Sequence, residues 1–158
     1  MIKIGLIGCG MWGRNLARNL AQLGVLACVA DRNHGQAAEF ASQFGSAALD
    51  VDTLITSQEI DGVVISTAAP SHDDLTTAAL AAGKHVYVEK PLSLSLAGAK
   101  AIAATATTAS RQVMVGHLIR YHAAFIELQR QLAAGAVGRV RHIQANRLAM
   151  GRIRNTES

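Results

Sequence analysis

Apolar residues along this chain gather into short continuous runs, and between the runs they recur at helical spacing. Ile2-Lys3-Ile4-Gly5-Leu6-Ile7 reads as a strand, and residues 14–23 carry apolar positions one helical turn apart. The alternation then repeats. Residues 25–30 predict a second strand that ends at Asp31, and residues 36–44 a helix with Phe40 and Phe44 on one face. Residues 47–49 predict a short third strand, with Asp50 capping a brief helix that runs to Thr56. Gly62-Val63-Val64-Ile65-Ser66 is a β-branched run of the kind found in a parallel strand buried on both faces. Ser71 is placed to cap a helix over 72–82 that Gly83 stops. A fifth strand follows at 85–88, a helix capped by Ser95 at 96–109, and a sixth strand at 112–115. Repeated strand and helix predict an α/β fold: a doubly wound parallel sheet with right-handed crossovers.

After Gly116 the pattern changes. Residues 121–134 predict an amphipathic helix with Phe125, Leu128 and Leu132 on one face, ended by Gly135 and Gly138. Residues 139–148 alternate at period two, which predicts a strand with one solvated face. Such a strand would begin a second, mostly antiparallel sheet, and one strand cannot make a sheet by itself. Either more of the same chain or other chains must complete it. The organisation predicted is therefore a Rossmann-type domain over 1–120, then a linking helix and first strand of an incomplete α+β domain over 121–158. An orphan strand with an open edge and an apolar face also predicts self-association into a homo-oligomer.

Composition narrows the picture. The chain has 158 residues, half of them apolar and 16% charged, which describes a globular domain with a real core. The net charge of +4 has a late basic share in Arg139, Arg141, Arg147, Arg152 and Arg154. A basic tail suits nucleic acid, but these arginines are spread through a strand-like pattern with no interleaved aromatics, so an anionic small molecule or a solvated face is the better reading. Cys9 and Cys28 fall in predicted core elements and make no metal-ligand spacing; they read as small reduced hydrophobes, and no metal is expected. With strand pattern from residue 2 and no apolar run of about 18 residues, no leader, no membrane partner and a cytoplasmic location are expected.

Two motifs carry chemistry. Gly8-Cys9-Gly10-Met11-Trp12-Gly13 is G-x-G-x-x-G placed between a strand and a helix, the context in which that spacing has meaning. Gly8 permits the tight turn, Gly10 lets a pyrophosphate approach the backbone, and Gly13 lets helix and strand pack closely. The anion would rest on unpaired N–H groups at the helix N-terminus, with Met11 and Trp12 in the same loop. Asp31 ends the next strand, about 20 residues on, where a carboxylate accepts hydrogen bonds from the adenosine ribose and repels a 2′-phosphate. NAD is thus expected; Arg32 beside it could pair with that phosphate, which keeps NADP open. Thr67, Ala68, Pro70 and His72 follow the fourth strand at the ligand-binding edge, although an ordinary turn with a Ser cap would look the same. Glu89-Lys90-Pro91 ends the fifth strand, beside the expected nicotinamide position. A lysine there can donate to a substrate hydroxyl or move a proton. The competing readings are a surface ion pair for the lysine, a sheet without nucleotide, and a methyltransferase using a similar turn.

Taken together these residues resemble the glucose-fructose oxidoreductase/inositol dehydrogenase/rhizopine-catabolism (Gfo/Idh/MocA) family, over the whole chain. The segment Val115-Gly116-His117-Leu118-Ile119-Arg120-Tyr121-His122, with Asn146-Arg147-Leu148 and Gly151-Arg152-Ile153-Arg154, looks most like the bacterial UDP-N-acetylglucosamine and UDP-N-acetylglucosaminuronate 3-dehydrogenases within it. The resemblance implies a two-domain oxidoreductase that passes hydride between a sugar carbinol and a nicotinamide cofactor. It implies Lys90 as the active-site lysine, with Glu89 and Lys90 also at the cofactor. His117, Arg120 and Tyr121 would lie at the substrate cleft, and Asn146, Arg152 and Arg154 near a nucleotide-sugar's phosphates. The family's usual aspartate–histidine pair has no matching position here. The expectation is therefore the cofactor-binding half of such an enzyme, with a non-catalytic NAD-binding module, or a subunit needing a partner chain, as the alternative.

Overall fold

Among the described residues six strands form one sheet, and all of them are parallel, as the alternating pattern predicts. The computed structural model describes residues 1–146 and 148. The strands are β1 (Ile4–Ile7), β2 (Leu26–Ala30), β3 (Ala47–Ala48), β4 (Gly62–Ile65), β5 (His85–Val88) and β6 (Val113–Val115), and they lie in the order β3-β2-β1-β4-β5-β6. The helices are α1 (Met11–Gln22), α2 (His34–Phe44), α3 (Val51–Thr56), α4 (His72–Ala81), α5 (Leu96–Ala109) and α6 (Ala123–Ala133). Two compact units result, Met1–His117 and one that begins at Leu118.

In the first unit both faces of the sheet are covered. Leu6, Val29 and Val64 point to one face and pack with Ala17, Ala37 and Phe40 of α1 and α2. Ile7, Val63, Ile65 and Val88 point to the other and pack with Leu54, Leu80 and Ile102 of α3, α4 and α5. Small residues let helix and sheet approach closely: Ala17 and Ala79 are fully buried where helix meets sheet. Order reverses between β1 and β4, so the loops after these strands diverge and leave a crevice at the carboxyl edge.

Caps fall close to the expected places, except that the Asp50 side chain makes no capping bond to α3, and two further readings need correction. Ser95 accepts a hydrogen bond from the Gly98 N–H as an N-cap should. Ser71 precedes α4 as expected, but its side chain makes no capping bond. Its hydroxyl instead donates to the Ala68 carbonyl and pairs with the Thr67 hydroxyl, closing the turn that leads into the helix. The second correction concerns residues 139–148. Among those described, none forms a strand. Period-two alternation supplies a face, but ladder hydrogen bonds need a partner strand, and among the described residues none pairs with it. Among the described residues no helix is long and apolar enough to cross a membrane.

In the second unit, a 3-10 turn at Leu118–Tyr121 leads to α6, which His122 caps through a hydrogen bond from the Ala124 N–H. The helix has an internal Glu127–Arg130 ion pair, and Gly135 follows it with φ of 71°.

Candidate cofactor site

The glycine turn is built by contacts that only glycine permits. Gly8 has φ of 103°, and a Cβ there would lie 2.7 Å from the Ser66 carbonyl carbon at the end of β4. Gly13 is tighter still: its Cβ would lie 2.0 Å from the Gly8 carbonyl oxygen and 2.9 Å from Ser66 Oγ. The Ser66 hydroxyl donates to that same Gly8 oxygen at 2.8 Å, so turn, helix and β4 are held at one point. Gly10 differs, because nothing lies within 4 Å of where its Cβ would be. It is exposed, it precedes α1 as N-cap, and no side chain caps the helix. The first N–H groups of α1 therefore open onto free space above Gly10, which is the cradle a pyrophosphate requires.

Asp31 closes the other side of the turn. Its Oδ2 accepts from the Cys9 N–H at 2.8 Å, and its Oδ1 accepts from the Asn33 N–H at 2.9 Å. Each oxygen keeps a second lone pair for a ribose hydroxyl. Gln36, in the first turn of α2, donates from Nε2 to the Cys9 carbonyl at 2.6 Å. Asn33 caps α2 by accepting from the Gln36 N–H. Neither Asn33 nor Gln36 was expected at the turn; the signal available in the sequence was an Asn three residues before a Gln at a helix start. Cys9 points into the core, and burial together with the Asp31 charge pushes its thiol up to about 12. Arg32 is exposed.

Around the ends of β4 and β5 the candidates part into two groups. Met11, Ala68, Pro70 and Lys90 are exposed, Thr67 is half-buried, and Trp12 is 43% exposed. His72 and Glu89 are buried. His72 faces the carbonyl oxygens of Pro91, at 2.7 Å from Nδ1, and of Thr67, at 3.1 Å from Nε2. Its polar atoms are thus turned to the backbone, and the ring is a strut between the loops after β4 and β5. Glu89 Oε1 accepts from the Trp12 indole N–H at 2.6 Å and from the Tyr87 hydroxyl at 3.1 Å, and Oε2 accepts from the Lys90 N–H at 3.3 Å. The Lys90–Pro91 peptide bond is cis.

Of the substrate-side candidates, His117 ends the first unit and is exposed. Arg120 and Tyr121 are exposed in the 3-10 turn of the second unit, and Asn146 is exposed outside any helix or strand. Arg147, Arg152 and Arg154 lie outside the described residues.

A doubly wound sheet whose first glycine turn is tied to the acidic end of β2 defines a dinucleotide-binding domain of the Rossmann type. Residues 2–117 match the Gfo/Idh/MocA family, described as an oxidoreductase family with an NAD-binding Rossmann fold, and the chain belongs to that family. It is 35% identical over 143 residues to an inositol 2-dehydrogenase of Acidothermus cellulolyticus, covering 87% of this chain and 42% of that protein. It is 36% identical over 149 residues to a UDP-N-acetylglucosamine 3-dehydrogenase of Acidithiobacillus ferrooxidans, covering 94% and 46%. A solved structure of a UDP-N-acetylglucosamine 3-dehydrogenase from the same organism superposes with a TM-score of 0.78 at 34% identity, covering 82% of this chain and 41% of that one. A putative myo-inositol dehydrogenase from Sinorhizobium meliloti gives a TM-score of 0.81 at 27% identity, covering 87% and 43%. The chain thus spans less than half the length of these relatives.

Proposed function

We propose that this chain is the cofactor-binding half of an NAD-dependent dehydrogenase acting on a sugar or nucleotide sugar. The observation that carries the reading is the closed turn: Asp31 holds Cys9 N–H while Gly10 leaves open space over the α1 N-terminus. In this reading Gly8, Gly10 and Gly13 shape the loop, the first N–H groups of α1 hold the pyrophosphate, and Asp31 takes the adenosine ribose. Bound nicotinamide supplies the hydride acceptor for a carbinol carbon. Lys90, exposed at the end of β5, orients the reacting hydroxyl through its ammonium. Similarity to UDP-N-acetylglucosamine 3-dehydrogenases supports a nucleotide sugar, whose diphosphate Arg152 and Arg154 would pair bidentately. His117, Arg120, Tyr121 and Asn146 are carried as substrate-side residues on the same similarity. A cytoplasmic homo-oligomer completes the reading.

A titration with NADH and, separately, NADPH tests it, following nicotinamide fluorescence. Tight NADH binding with NADPH weaker by tenfold or more supports the Asp31 assignment; absence of binding by either refutes the cofactor reading. A second reading, an NAD-binding module without catalysis, is favoured by the way the whole turn, Asp31 and Glu89-Lys90-Pro91 fall within Met1–His117. Incubation of the full-length protein that contains this chain with UDP-N-acetylglucosamine and NAD separates the two, since only the enzyme produces NADH.

A further inference from the structure

Glu89 is 8% exposed and lies at the carboxyl end of β5. Its three hydrogen-bond partners are an indole, a phenol and a backbone amide, every one a neutral donor. β6 closes in from the side: a Cβ on Gly116 would lie 2.9 Å from each of the two carboxylate oxygens. Among the described residues Glu89 makes no ion pair. Buried carboxylates are ordinarily matched by a cation. This one meets three neutral donors and, among the described residues, no cation. Lys90 is next in sequence but exposed, so water and salt screen its ammonium far more than they screen the buried carboxylate.

Doubly wound sheets bind their ligand outside the carboxyl ends of the strands at the switch point, and Glu89 ends the strand beside β4. Nicotinamide is a cation when oxidised and neutral when reduced. We propose that Glu89 is a charge-setting residue: its buried carboxylate, fixed by Trp12 and Tyr87, makes the site favour the oxidised cofactor over the reduced one. Unit charges several ångström apart at an effective dielectric of about 20 bias affinity by about tenfold or more. The inference rests on the NAD-site reading given above.

The test is a set of dissociation constants for NAD⁺, NADH and ADP-ribose, measured by calorimetry on the wild type, Glu89→Gln and Trp12→Phe. Glutamine keeps the shape and removes the charge. Glu89→Gln is expected to weaken NAD⁺ about tenfold, NADH less than threefold and ADP-ribose not at all. Trp12→Phe, which keeps the carboxylate, is expected to leave the NAD⁺/NADH ratio within twofold. A purely structural role for Glu89 would weaken both nicotinamide forms equally, and that result overturns the proposal. The wild type provides an arm that needs no variant to fold: NAD⁺ binds at least as tightly as NADH, and NADH tighter by tenfold overturns the proposal. If ADP-ribose binds while the ratio stays unmoved by Glu89→Gln, the charge inference fails alone. If none of the three binds the wild type, the cofactor reading fails and the inference with it.

Discussion

Replacing Gly13 by alanine places a methyl group 2.0 Å from the Gly8 carbonyl oxygen and 2.9 Å from Ser66 Oγ. A carbon–oxygen contact needs more than 3 Å, so α1 and the turn must separate by about 1 Å. The oxygen being struck is the one that accepts the Ser66 hydroxyl at 2.8 Å, and that bond stretches with it. Overpacking of this kind costs about 1–3 kcal/mol, and the strained hydrogen bond adds about 1 kcal/mol. Alanine returns up to about 1 kcal/mol through helix propensity, since Gly13 lies inside α1. The net expectation is a loss of about 2 kcal/mol, or about 4–8 °C in Tm for a chain of this size. Urea unfolding followed by circular dichroism reads the stability, and NADH titration reads the site. Gly10→Ala is the control. Nothing lies within 4 Å of its Cβ and its φ of −76° suits any residue, so stability should hold within about 0.5 kcal/mol. Its methyl group occupies the anion cradle, so NADH affinity should fall more than tenfold. If Gly13→Ala is as stable as the wild type, or if Gly10→Ala binds NADH normally, the geometry argued for the turn is wrong.

Other outcomes follow from the same structure. Lys84 is 4% exposed and its ammonium donates to the Ser57 and Ile60 carbonyls at 2.5 and 2.8 Å. Lys84→Met takes the ammonium from both carbonyls, leaving that of Ser57 only the longer 3.4 Å bond from the Ile60 N–H, and should cost about 1–3 kcal/mol in urea unfolding; an unchanged midpoint would show that water takes over the role. Burial pushes the Cys28 thiol up to about 11, as it pushes Cys9 up to about 12, against 9.0 for each ordinary thiol. Unfolded thiols therefore ionise first, and stability present below about pH 9 should decline as pH rises through the folded values; urea midpoints at pH 8 and pH 10 check the sign. At pH 8 both thiols should react with a disulfide reagent only after denaturant is added, and prompt native reaction would contradict their burial. Lys90→Ala should leave NADH affinity within about threefold and abolish any sugar oxidation, whereas lost NADH binding would make the lysine a cofactor-holding group.

Much of the sheet was legible because burial on both faces leaves an unmistakable mark. Gly62-Val63-Val64-Ile65 forms β4, at the centre of the sheet, and no polar residue interrupts it. The glycine spacing and Asp31 were equally readable, since each glycine answers a local steric demand. Helix starts were less so. α1 begins at Met11 rather than Arg14, because the turn itself supplies the N-cap through Gly10 and periodicity cannot see a helix until its second turn. The pairing of Trp12 with Glu89 spans 77 residues and follows from strand order, which no local pattern encodes. His72 shows the same limit: its position after β4 suggested a ligand contact, while its ring is buried against two carbonyls. Lys84 reads as surface in any sequence window, and only the folded loops turn two carbonyls toward it. Residues 139–148 carry a strand's alternation, yet among the described residues no partner strand pairs with them, and pattern alone does not supply ladder hydrogen bonds.

On the proposed function Asp31 combines two duties that are separable in principle, holding the turn and choosing between dinucleotides. Its carboxylate fastens the glycine turn through Cys9 and begins α2 through Asn33, whatever lies in the crevice. A substitution that relaxes discrimination against a 2′-phosphate therefore also loosens the loop that must hold the pyrophosphate. Exchange of cofactor preference at this position is coupled to loss of affinity for both dinucleotides. The accessible route for divergence, in nature or in engineering, runs instead through the exposed neighbour Arg32, where charge can be rearranged while the carboxylate keeps the turn closed.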